Sequence, residues 1–229
     1  LNLEIVELAK KNKIPLILEK PVSNSFKNAE KLKEIASDNE IIVLPNIINY
    51  FSETFDKLKE FVEFNISNIE KIIVYEGIFG PFRKNINPIW DWGFHPITIL
   101  IQLFGYKNFS NLKIYEIKNN KSYNLGIVTR FNFLINSKIK VKIITGNYFK
   151  KKIRKIKIIL KNNNCLICDM TSHKIFYEDK IIFENKITPL NSLLDNFYKC
   201  INEKNIIISK KLIETSCKTT KILETFYKC

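Results

Sequence analysis

The stretch Trp90-Asp91-Trp92-Gly93-Phe94-His95-Pro96 leads directly into an apolar segment that stops at Gly105, and it contains one of only two histidines in the chain. Glycine often follows the last residue of a helix, and proline is tolerated in the first helical turn. The pattern therefore predicts a helix that begins near Gly93. Asp91 and His95 are four residues apart at its start, so their side chains can meet on one side of the first turn.

This pair has two interpretations. A carboxylate beside the imidazole would polarise the ring and fix its tautomer, and the positive end of the helix would favour the neutral form. His95 is then a candidate general base. In the alternative, Asp91 caps the helix and His95 is a hydrogen-bonded structural residue beneath two tryptophans. The spacing alone does not decide, since D-x-x-x-H is a short motif.

Length and composition limit the classes of function. The chain has 229 residues, of which 45% are hydrophobic, enough for one large domain or one and a half. No apolar run reaches the roughly 20 residues that span a bilayer, and the first residues do not resemble a signal peptide, so we expect a cytoplasmic protein without a membrane partner.

The formal net charge of +14 raises the possibility of nucleic-acid binding. The lysines, however, are dispersed among isoleucine and asparagine, and the one dense basic run, residues 150–155, is expected to be a solvated strand edge. We therefore expect no nucleic-acid partner. The same positive charge would attract a small substrate that is acidic or phosphorylated.

The five cysteines show no disulfide framework. Cys165 and Cys168 form a single C-x-x-C, and no second pair completes a tetrahedral zinc site. Their segment is predicted to be a short strand, so the two sulfurs should face opposite sides. We expect buried thiols and no bound metal.

The N-terminal part of the chain has the pattern of a parallel sheet. Residues 15–18 form a short, wholly apolar strand that is followed by Glu19-Lys20-Pro21, and residues 41–44 form a second one with its polar exit at Asn46. A helix separates them. One crossover would place Lys20 and Asn46 on the same rim, which is where ligands bind in open α/β sheets.

From Leu112 onward the pattern changes to long β segments separated by short polar turns, which predicts an antiparallel meander. Two final helices, about Pro189 to Asn202 and Ser209 to Tyr227, close the chain. The expected fold class is α/β plus α+β, with residues 1–48 and residues 49–229 as the two domains.

Four features occur in this order along the chain: E-K-P after a buried strand, D-x-G-x-H before an apolar helix, an antiparallel sheet and a terminal helix pair. Together they resemble the Gfo/Idh/MocA oxidoreductases, the relatives of glucose-fructose oxidoreductase and inositol dehydrogenase. The resemblance implies that residues 1–48 are the C-terminal part of a doubly wound NAD(P)-binding Rossmann domain. It also implies that residues 49–229 are a substrate-binding and catalytic domain, with a large, mainly antiparallel sheet covered by helices.

The same resemblance implies hydride transfer between NAD or NADP and a hydroxyl or keto carbon of a sugar, nucleotide sugar or cyclitol. The family's catalytic lysine, aspartate and histidine correspond here to Lys20, Asp91 and His95. The chemistry agrees, because His95 can take the hydroxyl proton, Lys20 can stabilise the developing oxyanion and Asp91 can orient the imidazole. The Lys20–Pro21 bond resembles one that is often cis in these enzymes.

Other site residues follow from their positions beside the two motifs. Glu19, Lys20 and Pro21 are the expected cofactor-binding residues. Asn46 on the rim, and Arg83 and Trp90 beside the second motif, are candidate substrate-binding residues. The open face of the sheet is commonly a subunit interface in the family, so the resemblance also implies a homo-oligomer.

The chain departs from the family pattern in its nucleotide site. None of its six glycines forms a G-x-G-x-x-G turn, and the acidic residue that contacts the ribose is also absent. After the second strand, where the family often has an Arg-Phe pair, this chain has Asn49-Tyr50-Phe51. Because Leu1 lies within a helical pattern, we expect a fragment of a longer enzyme. The alternative is a degenerate, non-catalytic member that serves as an oligomerisation or partner-binding module.

Overall fold

The structure is a computed structural model that describes residues 2–82, 87–118 and 126–227. Its helices are α1 (Asn2–Lys10), α2 (Phe26–Asp38), α3 (Glu53–Asn65), α4 (Phe94–Phe104), α5 (Pro189–Asn202) and α6 (Ile207–Tyr227). Its strands are β1 (Leu16–Leu18), β2 (Val43–Pro45), β3 (Ile69–Phe79), β4 (Phe109–Lys118), β5 (Ile127–Ile135), β6 (Ile139–Gly146), β7 (Tyr148–Leu160), β8 (Cys165–Asp169), β9 (Lys174–Tyr177) and β10 (Lys180–Glu184). Two compact units result, Leu1–Phe51 with Ile187–Cys229, and Ser52–Lys186.

The first unit is built on β1 and β2, which pair in parallel. Helix α6 packs against α2 and β2, and it contributes Ile213 and Cys217 to a core that contains Leu32 of α2. The Ser209 hydroxyl of α6 donates to the Val43 carbonyl and accepts from the Val43 N–H, each at 2.9 Å.

The units therefore divide the chain differently from the sequence boundary. The predicted break between residues 48 and 49 lies close to the observed one between Phe51 and Ser52. The terminal helices, however, belong to the first unit, because the apolar face of α6 completes the core over β2 and α2.

The second unit contains an eight-stranded sheet in the order β10-β9-β8-β7-β3-β6-β5-β4. Only β3 and β6 pair in parallel, so the sheet is mainly antiparallel, and the predicted fold class is confirmed. The sheet is not a simple meander, because β3 lies between β6 and β7. Val74 of β3 faces Ile143 on one side and Ile156 on the other, so three apolar strands meet at its centre.

The two faces of this sheet differ in burial. We call the face that contains Val74, Ile143 and Ile156 the core face, because these side chains are buried and α3 and α4 pack against the sheet. The opposite, open face contains half-buried side chains such as Ile73 and Lys142. Helix α3 begins at an N-cap, since the Ser52 hydroxyl accepts from the Thr54 N–H at 3.2 Å.

The C-x-x-C segment lies on β8, and its two sulfurs face opposite sides as predicted. Cys168 is fully buried on the core face, whereas Cys165 is half-buried on the open face. Burial raises the pKa of both thiols, and that of Cys168 far above its usual range. Within the described ranges, no group of three or more His, Cys, Asp or Glu side chains could hold a metal ion.

Cys217, in α6, is also buried, and burial raises the pKa of its thiol to about 12. Reactive thiolates are therefore disfavoured at the buried positions. In the part of the chain that the structure describes, every helix is too short or too polar to cross a bilayer.

Candidate active site

The D-x-x-x-H motif lies on a helical run that begins before the predicted start. The Asn87 side-chain oxygen accepts from the Ile89 N–H at 2.9 Å, and the Asn87 carbonyl accepts from the Trp90 N–H at 3.0 Å. A π-helical turn, Ile89–Gly93, follows and continues directly into α4. The α-helix itself begins at Phe94, next to the predicted start near Gly93, but the π turn before it was not predicted and makes the helical run longer.

The π turn has an identifiable cause in Pro96. Proline has no N–H to donate to the carbonyl of Trp92, and its ring would clash with that carbonyl in a regular α-helix. A wider turn immediately before it relieves the clash. Because Gly93 has a helical φ of −74° and ψ of −22°, His95 lies inside the run, and the macrodipole argument for its neutral form does not apply.

The motif side chains are shielded from solvent to different degrees. His95 is 7% exposed and Trp90 is 6% exposed, whereas Asp91 is half-buried in the first helical turn. The π turn packs against β6 and β3, and α4 packs against β3. The structure thus brings Trp90, Asp91 and His95 together on one helical run that lies on the sheet of the second unit.

A row of polar side chains crosses the core face of the same sheet. Thr129, Thr145, Glu76 and Arg154 are direct neighbours on β5, β6, β3 and β7. The Arg154 Nε donates to Glu76 Oε1 at 2.7 Å, and the side chains are 14% and 2% exposed. Two strands of this row, β3 and β6, are those that contact the π turn.

Sequence reasoning missed this row. Arg154 belongs to the run that was expected to be a solvated strand edge, and for Arg154 that expectation is wrong. A usable signal was Glu76, which is an acidic residue at an inward position of an apolar strand and therefore requires a cationic partner. The exposed Lys150, Lys151 and Lys152 do agree with the solvated interpretation.

The E-K-P motif lies in the first unit, directly after β1. The Lys20–Pro21 peptide bond is cis, as the resemblance implied. The Asn46 N–H donates to the Leu18 carbonyl at 2.7 Å, and the Asn46 side-chain amide donates to Glu19 Oε1 at 2.7 Å. Glu19 and Asn46 therefore share the rim at the carboxyl end of β1 and β2, with the half-buried Lys20 beside them.

Helix α1 contributes a hydrogen-bonding side chain to this rim. The Asn2 side-chain amide of α1 donates to the carbonyls of Pro21 and Val22 at 3.4 and 3.1 Å. Asn46 Oδ1 and Asn49 Nδ2 are buried and have no hydrogen-bond partner among the described residues. Buried polar atoms normally have partners, so these two amide atoms are candidate contacts for a ligand.

The remaining candidate, Arg83, lies outside the described residues. Lys20 belongs to the first unit, whereas Asp91 and His95 belong to the second. Sequence reasoning did not single out Asn49 as a site residue, and noted it only as part of a departure from the family pattern. Its side chain is buried, and that burial could not be read from the local sequence.

No protein-family model matches the chain, and no curated protein matches its sequence. Solved structures do match its fold. An aldose-aldose oxidoreductase from Caulobacter crescentus is 12% identical with a TM-score of 0.79, over 99% of this chain and 73% of that one. The apo scyllo-inositol dehydrogenase from Lactobacillus casei is 16% identical with a TM-score of 0.72, over 97% of this chain and 71% of that one.

A third match is a biliverdin reductase from Synechocystis sp. PCC 6803 in complex with biliverdin and NADP+. It is 12% identical with a TM-score of 0.73, over 99% of this chain and 75% of that one. The matching structures include dehydrogenases and oxidoreductases of the Gfo/Idh/MocA type, and the fold of this chain is the one that they share.

Proposed function

We propose that this chain is part of an NAD(P)-dependent oxidoreductase of the Gfo/Idh/MocA type. The reaction is hydride transfer between the nicotinamide cofactor and a hydroxyl or keto carbon of a sugar, nucleotide sugar or cyclitol. The observation that carries the proposal is the helical run with the half-buried Asp91 and the buried His95 in a chain of this fold. The sugar class is supported by the fold shared with an aldose-aldose oxidoreductase and an inositol dehydrogenase.

The proposed roles follow from the chemistry of each side chain. The imidazole of His95 takes the proton of the substrate hydroxyl. The carboxylate of Asp91 orients that imidazole and stabilises it once it is protonated. The Lys20 ammonium stabilises the oxyanion that forms as the proton leaves.

The first unit fits one end of the cofactor. When bound, the nicotinamide ring supplies the hydride acceptor or donor. Glu19, Lys20 and Pro21 would hold that end, and the neighbouring unpartnered Asn46 Oδ1 offers an acceptor for a hydroxyl of the substrate. Residues 1–51 contain no glycine, so a Gly-rich turn for the pyrophosphate is not among them.

The substrate contacts and the assembly are proposals as well. Asn46, Arg83 and Trp90 are assigned to the substrate. Self-association would use the open face of the sheet, where Ile73, Tyr75 and Ile144 are only half-buried in the single chain. Association would remove this apolar surface from water.

The test is turnover of NAD and NADP with a panel of sugars, cyclitols and nucleotide sugars, with biliverdin added because a reductase of biliverdin has this fold. We expect His95→Ala to lower kcat roughly 100- to 10,000-fold, because a positioned general base contributes that much, with substrate binding largely kept. His173→Ala is the matched control, since it removes the other histidine, which lies in the turn between β8 and β9.

Three results would count against the assignment. Equal turnover in the His95 and wild-type proteins would exclude His95 as the base. Equal losses in the His95 and His173 variants would indicate damage to the fold instead of loss of a proton acceptor. Turnover of biliverdin alone would keep the oxidoreductase and overturn the sugar class.

A further inference from the structure

The polar row on the core face is confined to one end of the sheet. It consists of Thr129, Thr145, Glu76 and Arg154. The next positions of the same face on these strands are buried and apolar, and they are Phe131, Ile143, Val74 and Ile156. Glu76 and Thr145 lie near the carboxyl ends of β3 and β6, the two strands against which the π turn packs. The row therefore lies at the end of the strands that support the D-x-x-x-H motif.

Packing alone does not explain why this row is polar. The Thr145 Oγ1 is buried and has no hydrogen-bond partner among the described residues, whereas a valine at this position would bury no such group. The pair of Glu76 and Arg154 is likewise removed from water. Replacement of a buried ion pair by apolar residues of similar volume is often neutral or stabilising. A surface that served only as support would therefore lose little with apolar residues here, which indicates a role for the charges themselves.

The ion pair has a direction with respect to the motif. Thr145, Glu76 and Arg154 follow one another on β6, β3 and β7. The π turn packs against β6 and β3, and in the part of the chain that the structure describes β7 makes no comparable contact with it. Because adjacent strands are roughly 4.8 Å apart, the carboxylate is the end of the pair nearer to the π turn, and the guanidinium is the far end. The negative end of the pair is thus directed to the helical run that carries Asp91 and His95.

Other titratable side chains on the elements that pack against this run face elsewhere. They are Glu70, Lys71 and Tyr75 on β3, Lys140 and Lys142 on β6, and Tyr106 and Lys107 in the turn after α4. Those of β3 and β6 are exposed or belong to the open face. Those of the turn lie beyond the far end of α4, roughly 15 Å along the helix axis from His95. Besides Asp91 on the run itself, the pair of Glu76 and Arg154 is therefore the charged group that faces the run from the described part of the sheet.

We propose that Glu76, held in place by Arg154, is a positioning residue for His95 that stabilises the imidazolium formed when His95 takes the substrate proton. This inference rests on the proposed function, in which the imidazole becomes a cation at a position that is 7% exposed. A buried cation requires a compensating charge. Asp91 supplies one from a half-buried position, and the carboxylate of Glu76 supplies a second one from the sheet. Arg154 keeps that carboxylate ionised and fixes its direction.

The experiment is a nuclear magnetic resonance titration of the whole chain labelled with 15N-histidine. The chain has two histidines, His95 and His173, so the variant His173→Gln identifies the signals of His95. We expect the titration midpoint of His95 to rise in Arg154→Gln and to fall in Glu76→Gln, each by about half to one pH unit, the size expected for a unit charge about 10 Å away. The midpoint should fall less when Glu76→Leu is combined with Arg154→Met, because the two charges partly cancel.

Further variants separate this effect from damage to the fold. Arg154→Lys keeps the positive charge and should keep the wild-type midpoint of His95. Lys155→Gln breaks the ion pair of the open face and should also leave that midpoint unchanged. The double variant, Glu76→Leu with Arg154→Met, should unfold close to the wild-type urea midpoint, because both charges are removed together. With a substrate of the wild-type chain, the double variant should lower kcat severalfold and leave KM unchanged.

The possible outcomes distinguish this inference from the proposed function. A midpoint of His95 that is the same in every folded variant, or that moves in the same direction in Arg154→Gln and Glu76→Gln, would overturn the role of Glu76. Turnover that depends on His95 without the expected order of midpoints would overturn this inference alone. The expected order in a wild-type chain that turns over no substrate would support the electrostatic role of Glu76 and overturn the proposed function.

Discussion

Arg154 and Lys155 are adjacent residues of β7, yet their side chains lie on opposite faces of the sheet and in different environments. Arg154 pairs with Glu76 on the core face, where the side chains are 14% and 2% exposed. Lys155 pairs with Asp169 on the open face, where they are 45% and 12% exposed. One basic segment therefore contributes both a buried and a hydrated ion pair, since side chains alternate along a strand.

The comparison shows that burial, and not the number of charges, decides how much stability is lost when an ion pair is broken. A buried pair that loses one partner leaves an uncompensated charge in a medium of low polarity. A hydrated pair that loses one partner returns the other to water at little cost. On the core face the ion pair is thus part of the packing on which the π turn lies, whereas on the open face the pair stays in contact with water.

The largest expected effect comes from breaking the buried pair. Glu76→Ala should lower the free energy of unfolding of the second unit by about 3–5 kcal/mol, because Arg154 would stay buried without a partner. Urea unfolding followed by tryptophan fluorescence measures this unit, since Trp90 and Trp92 both belong to it. Lys155→Met is the matched control and should cost less than about 1 kcal/mol. Similar losses in the two variants would show that the faces do not differ as described.

An intermediate effect is expected from alkaline pH through the two thiols of β8. Burial holds the pKa of Cys168 far above the unfolded value, so this thiol stabilises the fold fully below about pH 8.5. At higher pH the unfolded chain releases the proton and the folded chain keeps it. Stability should then fall by about 1.4 kcal/mol per pH unit from this group.

The two cysteines provide the control for that prediction. Cys168→Ala should flatten the decline in the urea midpoint between pH 9 and pH 11, and Cys165→Ala should keep most of it, because Cys165 is half-buried on the open face. A decline that is identical in both variants would assign the effect to other groups, such as the Cys217 thiol, whose pKa burial raises to about 12.

The smallest effect is expected on the open face. Lys140→Glu places a carboxylate directly opposite Lys71 and should stabilise the second unit by about 0.2–1 kcal/mol. The gain should disappear in 1 M NaCl, where the Debye length is about 3 Å. A loss of stability at low salt would mean that Lys71 and Lys140 do not repel each other.

Local sequence was sufficient for the elements and their motifs. The strand before Glu19-Lys20-Pro21 and the opposite orientation of Cys165 and Cys168 both depend on neighbours in the chain. The fold class was likewise predictable, because the pattern of apolar residues indicates short parallel strands followed by long antiparallel ones.

Features that depend on distant partners were not predictable. The position of β3 between β6 and β7 joins segments that are about 70 residues apart, and no turn links them. The burial of Arg154 depends on Glu76, and the place of α6 in the first unit depends on the core over α2. The π turn was missed for a different reason, since Pro96 was placed in the first helical turn, whereas Asn87 already caps a run that begins before Trp90.

In the helical run that contains the π turn, the number of residues determines the direction in which each side chain points. Each residue of an α-helix rotates the next by about 100°. Deleting Trp92 or Gly93 would bring Asp91 and His95 one position closer along the run, and would change the angle between their side chains by about that amount. Insertions and deletions are therefore a more severe change here than most substitutions, although the segment begins in a connecting loop.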